Sequence, residues 1–198
     1  MSEPAGSRPT LGVIIASVRP VRVGAKVGVW IVEQARQHGA FEVDVIDLKE
    51  VALPFLDETT HPVQQKYEHD HTKRWSERIS RCQAFVFVTP EYNHGYPASL
   101  KNAIDTVNKE WWYKPVGFAS YGGVSGGLRS VTQLKPVTSL LRMPAAADAF
   151  VAPFVAQQIK DDVFEPNDVQ VEGTKSMLDE LAKLTEAMIP LQEPPTSF

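Results

Sequence analysis

The chain has 198 residues, 43% of them hydrophobic, a length and composition that suit a single α/β domain with a well-buried core. Its formal net charge is -4, so the chain as a whole has no general attraction for nucleic acid or for an anionic membrane surface. Cys82 is the only cysteine, which excludes an intrachain disulfide, and no apolar run is typical of a signal peptide or a transmembrane helix, so we expect a cytoplasmic protein.

Strand-like apolar runs alternate along the chain with segments of helical periodicity. The predicted strands are Leu11–Ala16, Phe41–Leu48, Ala84–Thr89, Pro115–Ser120 and a run near Ala147–Val151. The predicted helices have their apolar stripes on Val27 to Ala35, on Trp75 to Cys82, on Leu100 to Val107, from Leu128 to Leu141 with an interruption at Pro136, and on Met177 to Met188. Gly39 is placed to end the first helix, and residues 51–62 are predicted to form a long surface loop.

Strands that alternate with helices predict parallel βαβ units, and therefore a sheet covered by helices on both faces. Five such strands favour a flavodoxin-like three-layer sandwich of order 2-1-3-4-5 over the six-stranded dinucleotide-binding sheet. We predict this domain over residues 10–190, with a mobile segment at 1–9 and a tail at 191–198. Ligands of such sheets lie beyond the carboxyl ends of the strands, where three loops are candidates for the site.

The first loop, residues 17–24, has a hydroxyl and two guanidinium groups immediately before a helix. The free N–H groups and the dipole of a helix N-terminus favour an anion such as a phosphate. A solvated turn with scattered arginines is an equally good interpretation of this loop alone. Neither G-x-G-x-x-G nor the P-loop pattern occurs in it, so a terminal monophosphate fits better than a pyrophosphate.

The second loop, Thr89 to Gly95, follows the predicted central strand. Tyr92 can pack on a flat heteroaromatic ligand, and Asn93 and the backbone amides can hydrogen-bond its polar edges. An alternative is that these residues only close a turn and cap the helix that starts at Pro97.

The third loop, Ser120 to Gly127, has four glycines in six positions, which lets a ligand approach the main chain. It also contains G-x-S-x-G around Ser125, the pattern of the nucleophile elbow in α/β hydrolases. The base histidine of that fold follows the serine, whereas all five histidines of this chain precede Ser125. The conventional hydrolase triad is therefore absent.

Three further sequence patterns give weaker indications of function than the three loops. His69 and His71 are predicted on different faces of a helix without a supporting cysteine pair, which disfavours a metal site. A phosphotransfer receiver domain needs an aspartate at the end of the third strand, where this chain has Thr89 and Pro90. The aromatic run Trp111 to Tyr113 is interpreted first as core, with a substrate platform or a subunit contact as alternatives.

The three loops together resemble the NADPH-dependent FMN reductase family, whose members include quinone, azo and chromate reductases. The resemblance runs from about Leu11 to Pro153, and Pro90-Glu-Tyr-Asn93 is its most specific motif. It also rests on Ala16 to Gly24 and on Ser120-Tyr-Gly-Gly123. Family members usually begin the first loop with Gly-Ser, and the departure of this chain at Ala16 affects the detail of phosphate binding.

The resemblance implies that the chain binds FMN with residues of all three loops. Around the phosphate it places Ser17, Arg19, Arg22, Val23 and Gly24. Along the isoalloxazine it places Pro90, Glu91, Tyr92 and Asn93 of the second loop, and Ser120, Tyr121, Gly122 and Gly123 of the third.

The resemblance also implies an enzyme without a protein nucleophile, because the flavin supplies the chemistry. NADPH or NADH would donate hydride in a ping-pong cycle, and a quinone, free flavin, azo compound or metal oxyanion would accept it. The family typically forms dimers or tetramers, so we expect a homo-oligomer with candidate contacts at Trp111 to Tyr113 and along residues 97–109. Two alternatives stay open: a flavodoxin-like one-electron carrier that docks to redox proteins, and a flavin-free ligand-binding module.

Overall fold

The computed structural model describes residues 8–192, which are organised around a five-stranded parallel sheet. Its strands are β1 (Thr10–Ile15), β2 (Glu42–Asp47), β3 (Ala84–Pro90), β4 (Val116–Tyr121) and β5 (Phe150–Ala152). Their order across the sheet is β2-β1-β3-β4-β5, and all neighbours are parallel. The predicted flavodoxin-like fold and strand order are confirmed.

Six α-helices connect and cover the strands within residues 8–192. They are α1 (Gly24–His38), α2 (Leu48–Val51), α3 (Asp70–Arg81), α4 (Ala98–Asp105), α5 (Leu128–Leu140) and α6 (Asp168–Met188). Short 3-10 helices occur at Pro62–Gln64, Lys109–Trp111, Val155–Gln158 and Ile189–Leu191. A two-stranded antiparallel hairpin, β6 (Ile159–Lys160) and β7 (Val163–Phe164), lies between β5 and α6.

Side chains that alternate along the strands fill two apolar layers, one on each face of the sheet. In β3, Phe85 and Phe87 pack with residues of α3, α4 and α5. The intervening Val86 and the following Val88 pack on the other face, with residues of α1 and α6. Burying one such side chain contributes on the order of 2 kcal/mol, so the two-residue period fixes the register of the central strand.

Local sequence signals explain how the two longest helices begin or end. Gly39 ends α1 in the left-handed conformation, with φ 79°, as its position predicts. Asn167 and Gln170 form a capping box at the start of α6, in which each side chain accepts a hydrogen bond from the other residue's amide. The capping box therefore satisfies two backbone donors at the start of α6.

Two predicted boundaries are wrong. β5 begins at Phe150 rather than near Ala147, whose amide donates to the Glu180 carboxylate of α6 at 2.7 Å instead of joining the sheet. α5 continues through Pro136 without interruption. Tertiary packing outweighs the lost backbone donor there, because the neighbouring Leu134 is fully buried in the core.

The hairpin of β6 and β7 is a feature that the sequence did not predict. Phe164 of β7 packs on Trp30 of α1 and on Phe150 of β5, with ring centroids 5.7 and 5.8 Å apart. Asp161 and Asp162 form its turn, and both have positive φ. Each strand has only two residues, which is too short for a period-two pattern to be recognised.

The aromatic run after α4 divides between core and surface. Trp111 is fully buried and its indole N–H donates to the Ile104 carbonyl at 3.0 Å, which confirms the core interpretation. Trp112 is half-buried, and the Arg142 guanidinium lies 3.8 Å from the centroid of its ring. Trp111 is therefore not exposed for a contact with a second subunit.

The predicted mobile start and C-terminal tail fall largely outside the described residues, since 1–7 and 193–198 are not among them. Arg8 pairs with Glu42 of β2. The side-chain amide of Gln192 donates to the carbonyls of Gln83 and Tyr113 at 3.0 and 3.1 Å. The proposed limits of the domain stay a prediction.

Candidate functional site

The three predicted loops emerge at the same edge of the sheet. The first loop follows β1, the second follows β3 and the third follows β4, and these three strands are consecutive in the sheet order. Because the strands are parallel, their carboxyl ends lie side by side. The fold therefore brings the three loops together, as the sequence predicted.

Arg22 holds the first loop against the end of β2. One guanidinium nitrogen donates to the Ser17 carbonyl and to Asp47, both at 2.6 Å, and a second nitrogen also bonds the Asp47 carboxylate. The hydrogen bond to Asp47 raises the pKa of Arg22. Burial opposes ionisation of Asp47, but the bonds from Arg22 and from the Lys49 amide outweigh it and lower the pKa of the carboxyl. By contrast, Arg19 is exposed to solvent.

The N-terminus of α1 has free backbone donors. Val23 precedes the helix and makes no side-chain capping bond. Among residues 8–192, the first amides with a backbone acceptor in this helix are those of Lys26 and Val27, which both donate to the Val23 carbonyl. The amides of Gly24 and Ala25 are therefore available to an anion, and the first turn of α1 contains no acidic residue.

The second loop is a tight turn between Tyr92 and Gly95. The amide of each donates to the carbonyl of the other, at 2.8 and 2.9 Å. Asn93 and His94 between them have φ of 50° and 69°, which is typical of a type I′ turn. The Tyr92 hydroxyl lies 2.8 Å from Ser17 Oγ, so this side chain connects the second loop to the first.

Glu91 connects the second loop to the third. One carboxylate oxygen accepts from Ser125 Oγ at 2.7 Å and from the Arg129 amide at 3.1 Å, and the other accepts from the Arg129 guanidinium at 2.8 Å. Burial opposes ionisation here too, but these hydrogen bonds lower the pKa of Glu91. Ser125 thus has a structural partner, which agrees with the exclusion of a hydrolase triad.

The glycines of the third loop have two different roles. Gly126 and Gly127 have φ of 59° and 86°, and a Cβ on Gly127 would lie 2.9 Å from both Ser120 Cβ and the Tyr121 amide nitrogen. These two glycines are required by the turn itself. Gly123 has no heavy atom within 4 Å of an added Cβ, so it faces open space. The Gly122 amide donates to the Ala152 carbonyl at 3.1 Å and is not free for a ligand.

The sequence of the chain matches a known family over most of its length. A model of the NADPH-dependent FMN reductase family matches residues 9–157. The chain belongs to this family. Membership confirms the predicted class of enzyme, an NAD(P)H-dependent FMN reductase, with FMN as cofactor and NADPH or NADH as hydride donor.

Known proteins resemble the chain in sequence and in fold. An NAD(P)H-dependent FMN reductase of Schizosaccharomyces pombe is 38% identical over 171 residues, or 85% of this chain and 84% of that protein. A quinone reductase of Pseudomonas putida is 28% identical over 141 residues, or 68% of this chain and 72% of that protein. The structure of FerB, a flavoenzyme NAD(P)H:(acceptor) oxidoreductase of Paracoccus denitrificans, superposes with a TM-score of 0.71 at 20% identity, over 91% of this chain and 98% of that one. At 20% sequence identity, the likeness to FerB shows that the two proteins share a fold.

Polar groups at the end of β4 fit the phosphorylated flavin that this reductase family uses. The Ser120 and Tyr121 side chains are buried, and neither oxygen has a hydrogen-bond partner among the described residues. Pro90, which pairs with Tyr121 at the end of β3, is also buried. A buried hydroxyl without a partner is unfavourable, so these atoms are suited to receive a ligand group.

The sequence did not identify several residues that shape this reductase site. Asp47 holds the first loop through Arg22, and Arg129 holds the second loop through Glu91. Ser99 Oγ of α4 donates to the Ala16 carbonyl at 2.6 Å. These partners are far apart in the chain, and no local pattern pairs them. The position of Ser99 in the first turn of the helix predicted to start at Pro97 was only a weak sign of a role near the site.

The histidine pair differs from its prediction. His69 precedes α3 rather than lying on it, so its ring stacks on that of His71 with centroids 5.2 Å apart. In the described part of the chain, no group of three or more His, Cys, Asp or Glu side chains is arranged to hold a metal ion. Within residues 8–192, no helix combines the length and the apolar character needed to cross a membrane.

Proposed function

We propose that this chain is a cytoplasmic oxidoreductase that holds FMN across the three loops, takes hydride from NADPH or NADH, and reduces a small acceptor in a ping-pong cycle. The observation that carries the proposal is the convergence of three features at one edge of the sheet. These are a helix N-terminus with free amides, buried hydroxyls without partners, and a glycine that faces open space.

The phosphate would lie at the N-terminus of α1. The amides of Gly24 and Ala25 and the hydroxyl of Ser17 are donors there, and the exposed Arg19 is free to fold over the anion. Arg22 would act on the phosphate indirectly, by keeping the first loop in position. Its guanidinium already bonds Asp47 and the Ser17 carbonyl. Val23 would contribute its position before the helix rather than its side chain.

The isoalloxazine would lie between the second and third loops. Pro90, Tyr92 and Asn93 would line one side, and the backbone of residues 120–123 the other. Glu91 would set the distance between the loops through its bonds to Ser125 and Arg129. When bound, FMN would supply the hydride chemistry, and the protein would orient it and stabilise its reduced, anionic form with backbone donors.

A quinone is the acceptor that we favour among the quinone, flavin, azo and metal-oxyanion classes. The Pseudomonas putida relative is a quinone reductase by name, and no heavy atom lies within 4 Å of a Cβ added at Gly123, which leaves room there for a flat acceptor. The cytoplasmic location rests on the single cysteine, Cys82, which is buried and has no second cysteine to pair with.

A homodimer or homotetramer is also part of the proposal. A groove of about 610 Å³ lies between α4, α5 and the segment that follows α2, with Leu56, Ile104 and Leu140 in its lining. Leu140 is 83% exposed within this lining, so a second subunit that covered the groove would bury its apolar side chain. The groove lies on α4, in the predicted contact region 97–109, whereas Trp111 is in the core.

The experiment that tests the catalytic cycle is steady-state kinetics on purified, FMN-loaded protein with NADPH and a short-chain quinone. Parallel double-reciprocal lines are expected, because the nicotinamide leaves before the acceptor enters. Intersecting lines would contradict the cycle. Repeating the assay with free FMN, an azo dye and chromate then ranks the acceptor classes by kcat/KM.

A further inference from the structure

The segment that follows β5 lies against the third loop. The Phe154 amide donates to the Gly123 carbonyl at 2.9 Å. The Gly122 carbonyl accepts from the Val155 amide at 3.1 Å, and the Gly122 amide donates to the Ala152 carbonyl, also at 3.1 Å. These three backbone hydrogen bonds place Phe154 next to the part of the third loop that we expect beside the flavin ring.

Phe154 combines a strained backbone with an exposed ring. Its φ of 49° and ψ of 38° lie in the left-handed region, which a bulky side chain adopts only with strain. The residue is 51% exposed, and among residues 8–192 its ring has no aromatic or cation–π partner. Tyr113 has a similar φ of 60°, but its hydroxyl accepts a hydrogen bond from Arg142 at 3.3 Å. The strain at Phe154 is therefore maintained by its backbone bonds, with no such contact of the side chain to offset it.

The residue that follows keeps this backbone in place. Val155 is only 6% exposed and packs in the apolar layer with residues of α1 and α6. Because the Val155 side chain is buried and its amide is bonded to the third loop, the chain at Phe154 has little freedom to rotate. The ring of Phe154 is therefore kept at the surface, beside the third loop.

The Phe154 ring borders an open space. A Cβ on Gly123 would have no heavy atom within 4 Å, although the Gly123 carbonyl is bonded to the Phe154 amide. Val124, which follows Gly123, is 71% exposed. The charged side chains of Glu91 and Arg129 pair with each other at 2.8 Å, so neither is left as an unpaired charge. A space with apolar side chains at its border suits a flat, uncharged ligand better than an anion.

We propose that Phe154 is a specificity-determining residue for the electron acceptor, because its ring packs against a flat, uncharged acceptor such as a quinone in the open space at Gly123. The inference rests on the proposed function and deepens it. Phe154 takes no part in hydride transfer, and it contributes apolar contact area that a compact anion such as ferricyanide does not use. The strained backbone then has a function, since it keeps an aromatic ring where the acceptor enters.

The test is steady-state kinetics of the FMN-loaded protein with NADPH and two acceptors, a naphthoquinone and ferricyanide. In a ping-pong cycle, kcat/KM for an acceptor reports the half-reaction with that acceptor alone. For Phe154→Ala, we expect kcat/KM for the naphthoquinone to fall about tenfold, because an aromatic contact is lost. The value for ferricyanide should stay within about twofold of wild type, since this ion has no flat apolar face to pack on the ring.

Two further variants separate the ring from the backbone. Phe154→Tyr keeps an aromatic ring and should keep the quinone kcat/KM of the wild type. Phe154→Gly removes the ring and also relieves the left-handed strain. Its thermal midpoint in the flavin-free state should not fall, whereas its quinone kcat/KM should fall as in Phe154→Ala.

Leu191→Ala is the matched control, because Leu191 is 54% exposed, close to the exposure of Phe154, but lies at the opposite edge of the sheet. The next residue, Gln192, donates to the carbonyls of Gln83 and Tyr113, which precede β3 and β4. Leu191→Ala should change kcat/KM for neither acceptor.

Equal quinone values for Phe154→Ala and wild type would overturn the role of Phe154, as would equal losses for the quinone and for ferricyanide. A smaller sedimentation coefficient for Phe154→Ala would overturn it too, because the ring would then belong to a subunit contact. Each of these results leaves the reductase proposal standing. If the wild-type protein reduced neither acceptor with NADPH, the proposed function itself would be wrong, so the two failures are distinguishable.

Discussion

At the scale of single residues, the first loop assigns different roles to two arginines that look alike in the sequence. Arg22 is fixed between Asp47 and the Ser17 carbonyl, whereas Arg19 is exposed. A guanidinium that already has a bidentate partner keeps its geometry when a ligand binds, and an unpaired one can add new hydrogen bonds. Ligand affinity should therefore depend on Arg19 directly and on Arg22 through the shape of the loop.

Arg19→Ala should weaken FMN binding about thirtyfold, because it removes a charge-assisted contact to the phosphate. The thermal midpoint of the flavin-free protein should not change, since the side chain is exposed. Arg74→Ala, on an exposed position of α3, is the matched control and should leave affinity at the wild-type value. Equal affinity of Arg19→Ala and wild type in a fluorescence titration would remove Arg19 from the site.

Asp47→Asn should make stability less dependent on pH. The pKa of Asp47 is lowered in the folded state, so its ionised form stabilises the protein at neutral pH and this contribution disappears as the pH falls through the lowered value. At pH 7 the variant should lose on the order of 2 kcal/mol of unfolding free energy. The difference from wild type, measured by urea unfolding, should shrink below about pH 4. A difference that stayed constant down to pH 3 would contradict this role.

At the scale of elements, the third loop combines a structural turn with an open face. Gly126 and Gly127 adopt conformations that other residues adopt only with strain, and their missing side chains allow the chain to pass close to β4 and β5. Gly123, three residues earlier, has space around it. Substitutions at Gly126 or Gly127 should therefore affect the stability of the fold, whereas a substitution at Gly123 should affect ligand binding.

Gly123→Val should give a folded but colourless protein, because the added side chain meets nothing in the protein but occupies the space beside the flavin edge. Its unfolding free energy should stay within about 0.5 kcal/mol of wild type in the flavin-free state. Gly127→Val should instead destabilise the fold by about 3 kcal/mol, through backbone strain and the contact with Ser120. If Gly123→Val kept its flavin and its turnover, the third loop would be a plain turn.

The sequence predicts those elements whose apolar period is long enough to be recognised. Apolar runs, and in β2 an alternation of apolar and acidic residues, identified the five sheet strands, and strand–helix alternation identified their order. The two-residue strands of the hairpin and the short α2 have no such period, and packing rather than propensity keeps Pro136 inside α5. For the site, local motifs located the three loops, but the pairing of Arg22 with Asp47 and of Glu91 with Arg129 depends on the fold.

At the scale of the whole molecule, the apolar groove between α4 and α5 should be a subunit contact. Leu140→Glu should shift the proposed oligomer towards monomer in sedimentation velocity, because it would place a charge in the proposed interface. Val169→Glu, at a position of α6 that is 80% exposed, is the matched control. Identical sedimentation of both variants and the wild type would place the contact elsewhere.

The central claim is that the chain passes hydride from a nicotinamide to bound FMN. The most direct measurement is an anaerobic titration of the FMN-loaded protein with NADPH, and separately with NADH, followed in the visible flavin absorbance. One equivalent of at least one nicotinamide should bleach the flavin in a single two-electron step. The claim would be contradicted if neither nicotinamide reduced the flavin while a reductase protein readily supplied it with single electrons.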